Sequence, residues 1–315
     1  MGTHIPPKEG ESMTSAETVR EVTRKHLLEN NGVVMGQCLS AVGWVSGTIP
    51  EMPGHPNLIE LSMDDTSGCG IAVGYALAGR RPIFICRYQG FMWYNAADFV
   101  NYAAKANEIW GYKVPILIRS IAHEIGAGPV AGGGHHGIVT RMPGISVCAP
   151  VTPGEYEYVW KYFMEHDEPL YLSESKKSFA INYEMEDIIH EKADITIFAI
   201  SATRLNAVEA VKLLESDGII CNLLHLVWLK PSQLNPNTFF TLSSSKHGGL
   251  VLDTDFEDGY SKCIAYELMH ETNKKVWVMG LEERTAGFAS HLDNPTPSTE
   301  KIIKKVKEIV SCRRV

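Results

Sequence analysis

Short apolar runs rich in β-branched residues recur along the first half of the chain: GVVMG (32–36), NLIELS (57–62), PIFICRY (82–88), VPILIRSI (114–121), ISVCAP (145–150) and PLYLS (169–173). Runs with no polar alternation are what strands covered on both faces look like, because neither side meets water. Between them, AADFVNYAAKANEIW (96–110) and EYEYVWKYFMEH (155–166) read as helices. Strand–helix alternation predicts a parallel sheet with right-handed crossovers.

The pattern then breaks and restarts. SESKKSFAINYEMEDIIHEK (173–192) is charged and poorly periodic. Beyond it, DITIFAIS (194–201), IICNLLHLVW (219–228), GGLVLDT (248–254) and KVWVMGL (275–281) read as strands. Helices are expected at 202–218, ending at a glycine stop, at 258–271 and at 298–310. The last carries one apolar stripe of Ile302, Ile303, Val306, Ile309 and Val310. The fold class expected is α/β in two domains, each a mostly parallel sheet flanked by helices. Their bounds are 15–180 and 193–315, joined by a linker over 181–192. Residues 1–14 have no apolar signal core and read as a disordered leader or tag.

Composition narrows the function. The chain has 315 residues, 44% of them hydrophobic, enough to bury two cores. Its 29 basic and 37 acidic residues leave a net charge of -8. Nucleic acid and anionic membranes want clustered Lys and Arg, so neither is expected as a partner. No apolar run approaches the ~20 residues that span a bilayer. The 7 cysteines are widely spaced, without a CxxC pair. They predict free thiols in a reducing, cytoplasmic setting rather than a disulfide frame or zinc site.

Two segments stand out chemically. In LSMDDTSGCGIAVGYALAGRRPI (61–83), Asp64 and Asp65 precede a small-residue helix. They can cap that helix, or they can hold a ligand at its mouth. In GAGPVAGGGHHG (126–137), the start fits the looser dinucleotide fingerprint G-x-G-x-x-A. Pro129 and the further glycines make immediate entry into a helix improbable, and the fingerprint needs that helix. A flexible loop carrying His135 and His136 is the better description.

The order of these segments is informative: acid and small-residue helix, then YQGFMWYNAADFVNYAAKA, VPILIRS and GGGHHGIVTRMPGISVCAP. It resembles the pyrimidine-binding domain of the transketolase family of thiamine-diphosphate enzymes. Within that family it is most similar to beta subunits of the first component of the pyruvate and branched-chain 2-oxoacid dehydrogenases. GIAVGYALAGRRPI and MPGISVCAP carry the likeness most specifically. It continues through ITIFAISATRLNAVEAVKLLESDGI, HLVWLKPSQLNP and FASHLDNPTPS, over roughly residues 15–312.

The resemblance implies a cofactor, thiamine diphosphate, whose aminopyrimidine is activated by a carboxylate. That position falls on Asp65, where the family has glutamate. Aspartate is shorter by about one carbon–carbon bond, ~1.5 Å. Phe91 falls on the aromatic that packs against the pyrimidine. Gln37 replaces an acid and is expected beside the cofactor. His135 and His136 fall where the family places a histidine on the substrate side, with the choice between them open; His123 is a lesser candidate.

No GDG sequence occurs, and EDG (257–259) reads as a cap and turn. Diphosphate and Mg2+ are therefore expected on a separate alpha-type chain in an α2β2 heterotetramer, with no metal ligands here. The function implied is the beta-type subunit of an enzyme that decarboxylates a 2-oxoacid and passes the acyl or aldehyde fragment to an acceptor, with an acyltransferase core as a further partner. One alternative is the C-terminal half of a split transketolase or sugar-phosphate synthase, with Arg119 or Arg141 meeting substrate phosphate. The other is a non-catalytic scaffold subunit.

Overall fold

The computed structural model describes residues 12–123 and 128–311. In chain order its strands are β1 (Val33–Gln37), β2 (Leu58–Leu61), β3 (Pro82–Cys86), β4 (Leu117–Ala122), β5 (Ser146–Cys148), β6 (Leu170–Ser175), β7 (Ile195–Ile200), β8 (Cys221–Leu226), β9 (Trp228–Lys230), β10 (Gly249–Phe256) and β11 (Val276–Leu281). They form a seven-stranded sheet, β2-β1-β3-β4-β6-β5-β9, and a four-stranded sheet, β11-β10-β7-β8. Pairing is parallel except between β5 and β9. The α/β class with two mostly parallel sheets agrees with the pattern of apolar runs.

Both faces of the larger sheet are apolar, and successive residues divide between them. Val33, Met35, Phe84 and Cys86 pack with Cys69, Ala72 and Phe99 on one side. Val34, Ile83 and Ile85 pack with Val19, Leu27, Trp160 and Phe163 on the other. The first of these cores continues into the second half of the chain through Phe198, Leu226, Val251 and Tyr260. The outer face of the smaller sheet is closed by the helices Thr203–Ser216 and Thr299–Ser311. Ile302, Val306 and Ile309 of the expected stripe lie inside it.

Several elements differ from the expectation. The run 219–228 splits after Leu226, and Trp228–Lys230 crosses to pair with β5. Gln233 enforces the break, because its Oε1 accepts from both Val227 N–H (2.7 Å) and Trp228 N–H (2.8 Å). The helix expected over 96–110 starts at Met92 and is π-helical over Ala97–Ala103. A helix at Ser15–Glu29, closed by a capping box between Thr14 and Glu17, escapes the apolar-run pattern because it is mostly polar. The leader expected over 1–14 falls, for residues 1–11, outside the described residues. Within 181–192, Ile188 bridges to Leu223, and Asn222 Oδ1 accepts from His190 N–H at 2.7 Å, so this stretch is fastened to β8.

Arg119, read above as a phosphate contact, is not available to one. It lies on the inner strand β4, fully buried, in a two-pronged pair with Glu174 (2.9 and 3.0 Å) and a hydrogen bond to Thr48 Oγ1. No helix among the described residues is long and apolar enough to cross a membrane. Replacing Arg119 by Met strands a buried carboxylate and is expected to lower stability by about 3–5 kcal/mol, whereas the double replacement of Arg119 and Glu174 by Met recovers most of it. Urea unfolding of the two variants against the parent checks this.

Candidate functional site

A cleft opens at the carboxyl ends of β1 and β3, where ligands of open α/β sheets bind. It encloses about 470 Å³ of empty space, open to solvent. Gln37, Asp65 and Phe91 all line it, beside Phe84, Cys86 and Arg87. Three of the five candidate residues, drawn from separate segments of sequence, thus meet in one place.

The two acids divide their roles. Asp64 takes the local one: Oδ1 accepts from Thr66 N–H (2.9 Å) and Thr66 Oγ1 (2.7 Å), and Oδ2 accepts from Ser67 Oγ. The Ser67 hydroxyl, then the Thr66 hydroxyl, pull its carboxyl down to about 2. Asp65 is half-buried, and no hydrogen bond or ion pair engages its carboxylate among the described residues. Its main chain is anchored: Asn95 Nδ2 donates to the Asp65 carbonyl (2.8 Å) and to the Phe91 carbonyl (3.2 Å). Asn95 Oδ1 accepts from Cys69 N–H (3.0 Å), and the whole residue is buried. One amide therefore ties the acid, the aromatic and the small-residue helix Gly68–Leu77 together.

Gln37 also has a fixed place. Its Nε2 donates to the Asp64 carbonyl, which clips the end of β1 to the acid segment. Cys38 follows in the left-handed region at φ 51°. Glu60 holds that turn, accepting from Leu39 N–H (2.6 Å) and from Ser40 N–H (3.1 Å). Neither Asn95 nor Glu60 is a candidate on sequence grounds, because each acts on main chain far away in sequence. Cys86 on the cleft floor stays a thiol, since burial pushes it up to about 12.

The histidines lie elsewhere, and they part company. His135 is half-buried and lines a second, apolar cleft with Gln89, Met92, Trp93, Phe99 and Tyr171. Burial, then the neighbouring His136, push its imidazole down to about 4, so it is uncharged at neutral pH. His136 opens the short helix His136–Thr140, is fully buried, and lines neither cleft. Its Nδ1 is 3.0 Å from Ser173 Oγ and its Nε2 is 2.9 Å from Asp253 Oδ1. Burial opposes its charge, but the carboxylates of Asp253 and Asp255 outweigh that and raise it above the ordinary value near 6.5.

The loop is not the loose one expected, because its glycines mark close approach to β10 and β11. A Cβ on Gly133, at φ 76°, would come within 2.3 Å of the Leu281 side chain, and one on Gly137 within 2.6 Å of Asp255. The dinucleotide match at 126–131 begins on residues outside the described set. Its remainder, Gly128–Ala131, makes one helical turn, and His123 then bridges to Gly132. Among the described residues, no group of three or more His, Cys, Asp or Glu is arranged to hold a metal ion.

Comparison with known proteins adds a lineage. A family model described as "Transketolase, pyrimidine binding domain" matches residues 13–181. The pyruvate dehydrogenase E1 component subunit beta of Rickettsia felis is 24% identical, aligned over 94% of this chain and 98% of that one. The acetoin:2,6-dichlorophenolindophenol oxidoreductase subunit beta of Bacillus subtilis is 25% identical over 67% of this chain and 65% of its own length. Among solved structures, the transketolase of Campylobacter jejuni superposes with a TM-score of 0.73 at 15% identity, over 96% of this chain but 48% of that chain. A split gene transketolase solved as an inactive beta4 tetramer superposes with a TM-score of 0.65 at 16% identity, over 96% and 100%.

A raised folded-state value at His136 has a definite consequence for stability. Its contribution is fully present below the unfolded value, near 6.5, and is lost as pH rises through the higher folded value. His136→Gln is expected to be less stable at and below neutral pH and to show a flatter decline as pH rises from about 6 into the alkaline range. Denaturation midpoints across that range check it. Asn95→Ala is expected to lose about 1–3 kcal/mol by stranding a buried N–H and two carbonyls, read by the same unfolding curves.

Proposed function

The chain belongs to the transketolase pyrimidine-binding domain family, and we propose that it is the beta-type subunit of a heteromeric thiamine-diphosphate enzyme acting on a 2-oxoacid. The observation that carries this reading is the unengaged carboxylate of Asp65, set in the same cleft as Phe91. The lining fits an aminopyrimidine. A carboxyl group is available to share a proton with a ring nitrogen, an aromatic face can stack on the ring, and Phe84 and Cys86 keep the floor apolar. When bound, thiamine diphosphate supplies the nucleophilic carbon and the electron sink for decarboxylation.

This chain's residues bind and orient. Asp65 holds the ring nitrogen by a charge-assisted hydrogen bond. Phe91 fixes the ring plane and excludes water. Gln37, with its Nε2 committed to the Asp64 carbonyl, has its Oε1 as the free end of the amide and contributes no charge. Of the two histidines, His135 faces a cleft uncharged, and we assign it the handling of substrate protons.

An alpha-type chain is taken to complete the site with the diphosphate and Mg2+. The surface beside the cleft is consistent with such a partner. Trp93, Tyr94, Tyr102, Ile109 and Trp110 on the Met92–Trp110 helical run are more than half exposed, and Ile71 on the neighbouring helix adds to them. Large exposed apolar side chains gathered along one helical run are what an interaction face would present. Names of relatives such as "subunit beta" point the same way. An acyltransferase core and an α2β2 assembly remain parts of this proposal, as does a cytoplasmic setting.

Two measurements test it. Thiamine diphosphate with Mg2+ is expected to bind this chain weakly alone and tightly once the alpha-type chain is added; tight binding without a partner sinks the shared site. In the assembled enzyme, Asp65→Ala is expected to lower turnover by roughly 10²–10⁴-fold, the contribution of a positioned proton-transfer group. Unchanged turnover would leave Asp65 without the role and favour a scaffold subunit.

A further inference from the structure

Besides the shared apolar core, the two halves of the chain meet through polar contacts at the glycine-rich loop. Gly134 N–H donates to the Thr254 carbonyl (2.8 Å), Gly137 N–H donates to Asp255 Oδ2 (2.7 Å), and His136 Nε2 sits 2.9 Å from Asp253 Oδ1. Asp253 is fully buried, and its Oδ2 has no hydrogen-bond partner. A carboxylate is expensive to bury and is normally fully satisfied, so one with a spare oxygen calls for an explanation beyond packing.

From His136 the contacts run on toward the apolar cleft. Its Nδ1 meets Ser173 Oγ, which also accepts from Gln89 Nε2 at 2.9 Å. The amide of Gln89 has one orientation, because Nε2 also donates to the Ser120 carbonyl (3.1 Å), a group that only accepts. Oε1 is thereby turned to the His135 N–H, 2.7 Å away. Gln89 and His135 both line the cleft. The path therefore starts in β10 of the smaller sheet, crosses the end of β6 in the larger one, and finishes on the main chain of the residue that faces the cavity.

We propose that Asp253 is a positioning residue: acting through His136, Ser173 and Gln89, it fixes from the second half of the chain where His135 sits on the cleft rim. The proposal rests on the assignment of substrate proton handling to His135. Without the carboxylate, His136 loses the anion 2.9 Å from its Nε2 and keeps Asp255 alone, so its ring is held less firmly. Ser173 then redirects its hydroxyl, and the Gln89 amide loses the shortest of its three acceptors, leaving the Ser120 and Glu174 carbonyls (3.1 and 3.5 Å). A shift of ~1 Å at a reacting group is enough to lower a rate ~100-fold.

The full chain, labelled with 15N in its histidine rings, gives a readout that needs no turnover. His135→Asn and His136→Gln assign the signals. The parent is expected to show His136 with both ring nitrogens protonated near pH 7 and His135 neutral. In Asp253→Asn, which keeps the volume and removes the charge, His136 is expected to lose a ring proton and the His135 signals to move with it. His135 signals that stay in place overturn the proposal. Should Asp253→Asn fail to fold, Ser173→Ala severs the same path without changing a charge, and unmoved His135 signals there overturn it equally.

In the complex with the alpha-type chain, Asp253→Asn is expected to lower kcat about tenfold or more with KM within about twofold. If His135→Asn impairs turnover and Asp253→Asn does not, positioning by Asp253 is refuted. If His135→Asn leaves turnover intact while its signals still respond to Asp253→Asn, the positioning stands and the substrate role given to His135 falls.

Discussion

Gly68 lets its helix lie against the ring of Phe84. A Cβ there would come within 2.7 Å of that ring, and one on Gly70 within 2.8 Å of Asp98 Oδ2. This close approach places the whole Gly68–Leu77 helix on β3, and with it the acid segment that enters the helix. Cys69 and Ala72 then fill the core beneath, where a larger side chain has no room. The cleft exists because the helix sits this low: its floor is the end of β3, and its rim is the residues just before the helix. Asp65 stands at the mouth because the packing behind it leaves the chain no other route.

That constraint also bears on the aspartate itself. A shorter side chain in place of glutamate can be compensated if the main chain moves inward by ~1.5 Å. Here the main chain has little freedom to do so. Asn95 grips the Asp65 carbonyl, and Gln37 grips the carbonyl of Asp64 next to it. The reach of residue 65 is therefore set by two side-chain amides, one buried and one half-buried, as well as by its own rotamer. If an aminopyrimidine binds here as proposed, any further approach between carboxylate and ring would have to come from the ligand's side, and so from the geometry of the partner chain.

Much of the fold was legible in the order of apolar runs. Every strand but β9 coincides with an expected run, with β1, β4, β6 and β10 extending one or two residues past it, because sheets covered on both faces leave long uninterrupted apolar segments. What the runs do not reveal is the mostly polar helix Ser15–Glu29, although its Thr14–Glu17 capping box is written in the sequence. Nor do they reveal the crossing of Trp228–Lys230 to the other sheet, which Gln233 and pairing with β5 decide. Around the cleft, Gln37, Asp65 and Phe91 were accessible because the family resemblance falls on them residue by residue. Asn95 and Glu60 were not, since their importance lies in which distant main-chain groups they meet.

The adjacent pairs make the same point at the level of chemistry. Asp64 and Asp65 are identical in type and neighbours in sequence, yet one is saturated by Thr66 and Ser67 while the carboxylate of the other is unengaged among the described residues. Local hydroxyls made that division, so it could be reasoned about as capping. His135 and His136 divide just as sharply, one pushed down by burial at a cavity and one, though burial opposes it, raised in the interior by two carboxylates. Nothing nearby in sequence decides between them. The deciding acids, Asp253 and Asp255, arrive on β10 from the other half of the chain. The same halves are joined a second time where Arg204 reaches Glu155 with both guanidinium nitrogens (2.8 and 2.5 Å). Arg204 is fully buried in that tie. The protonation preference of a histidine in the first half is in this way shaped by acids of the second, which contributes no residue to the lining of either cleft.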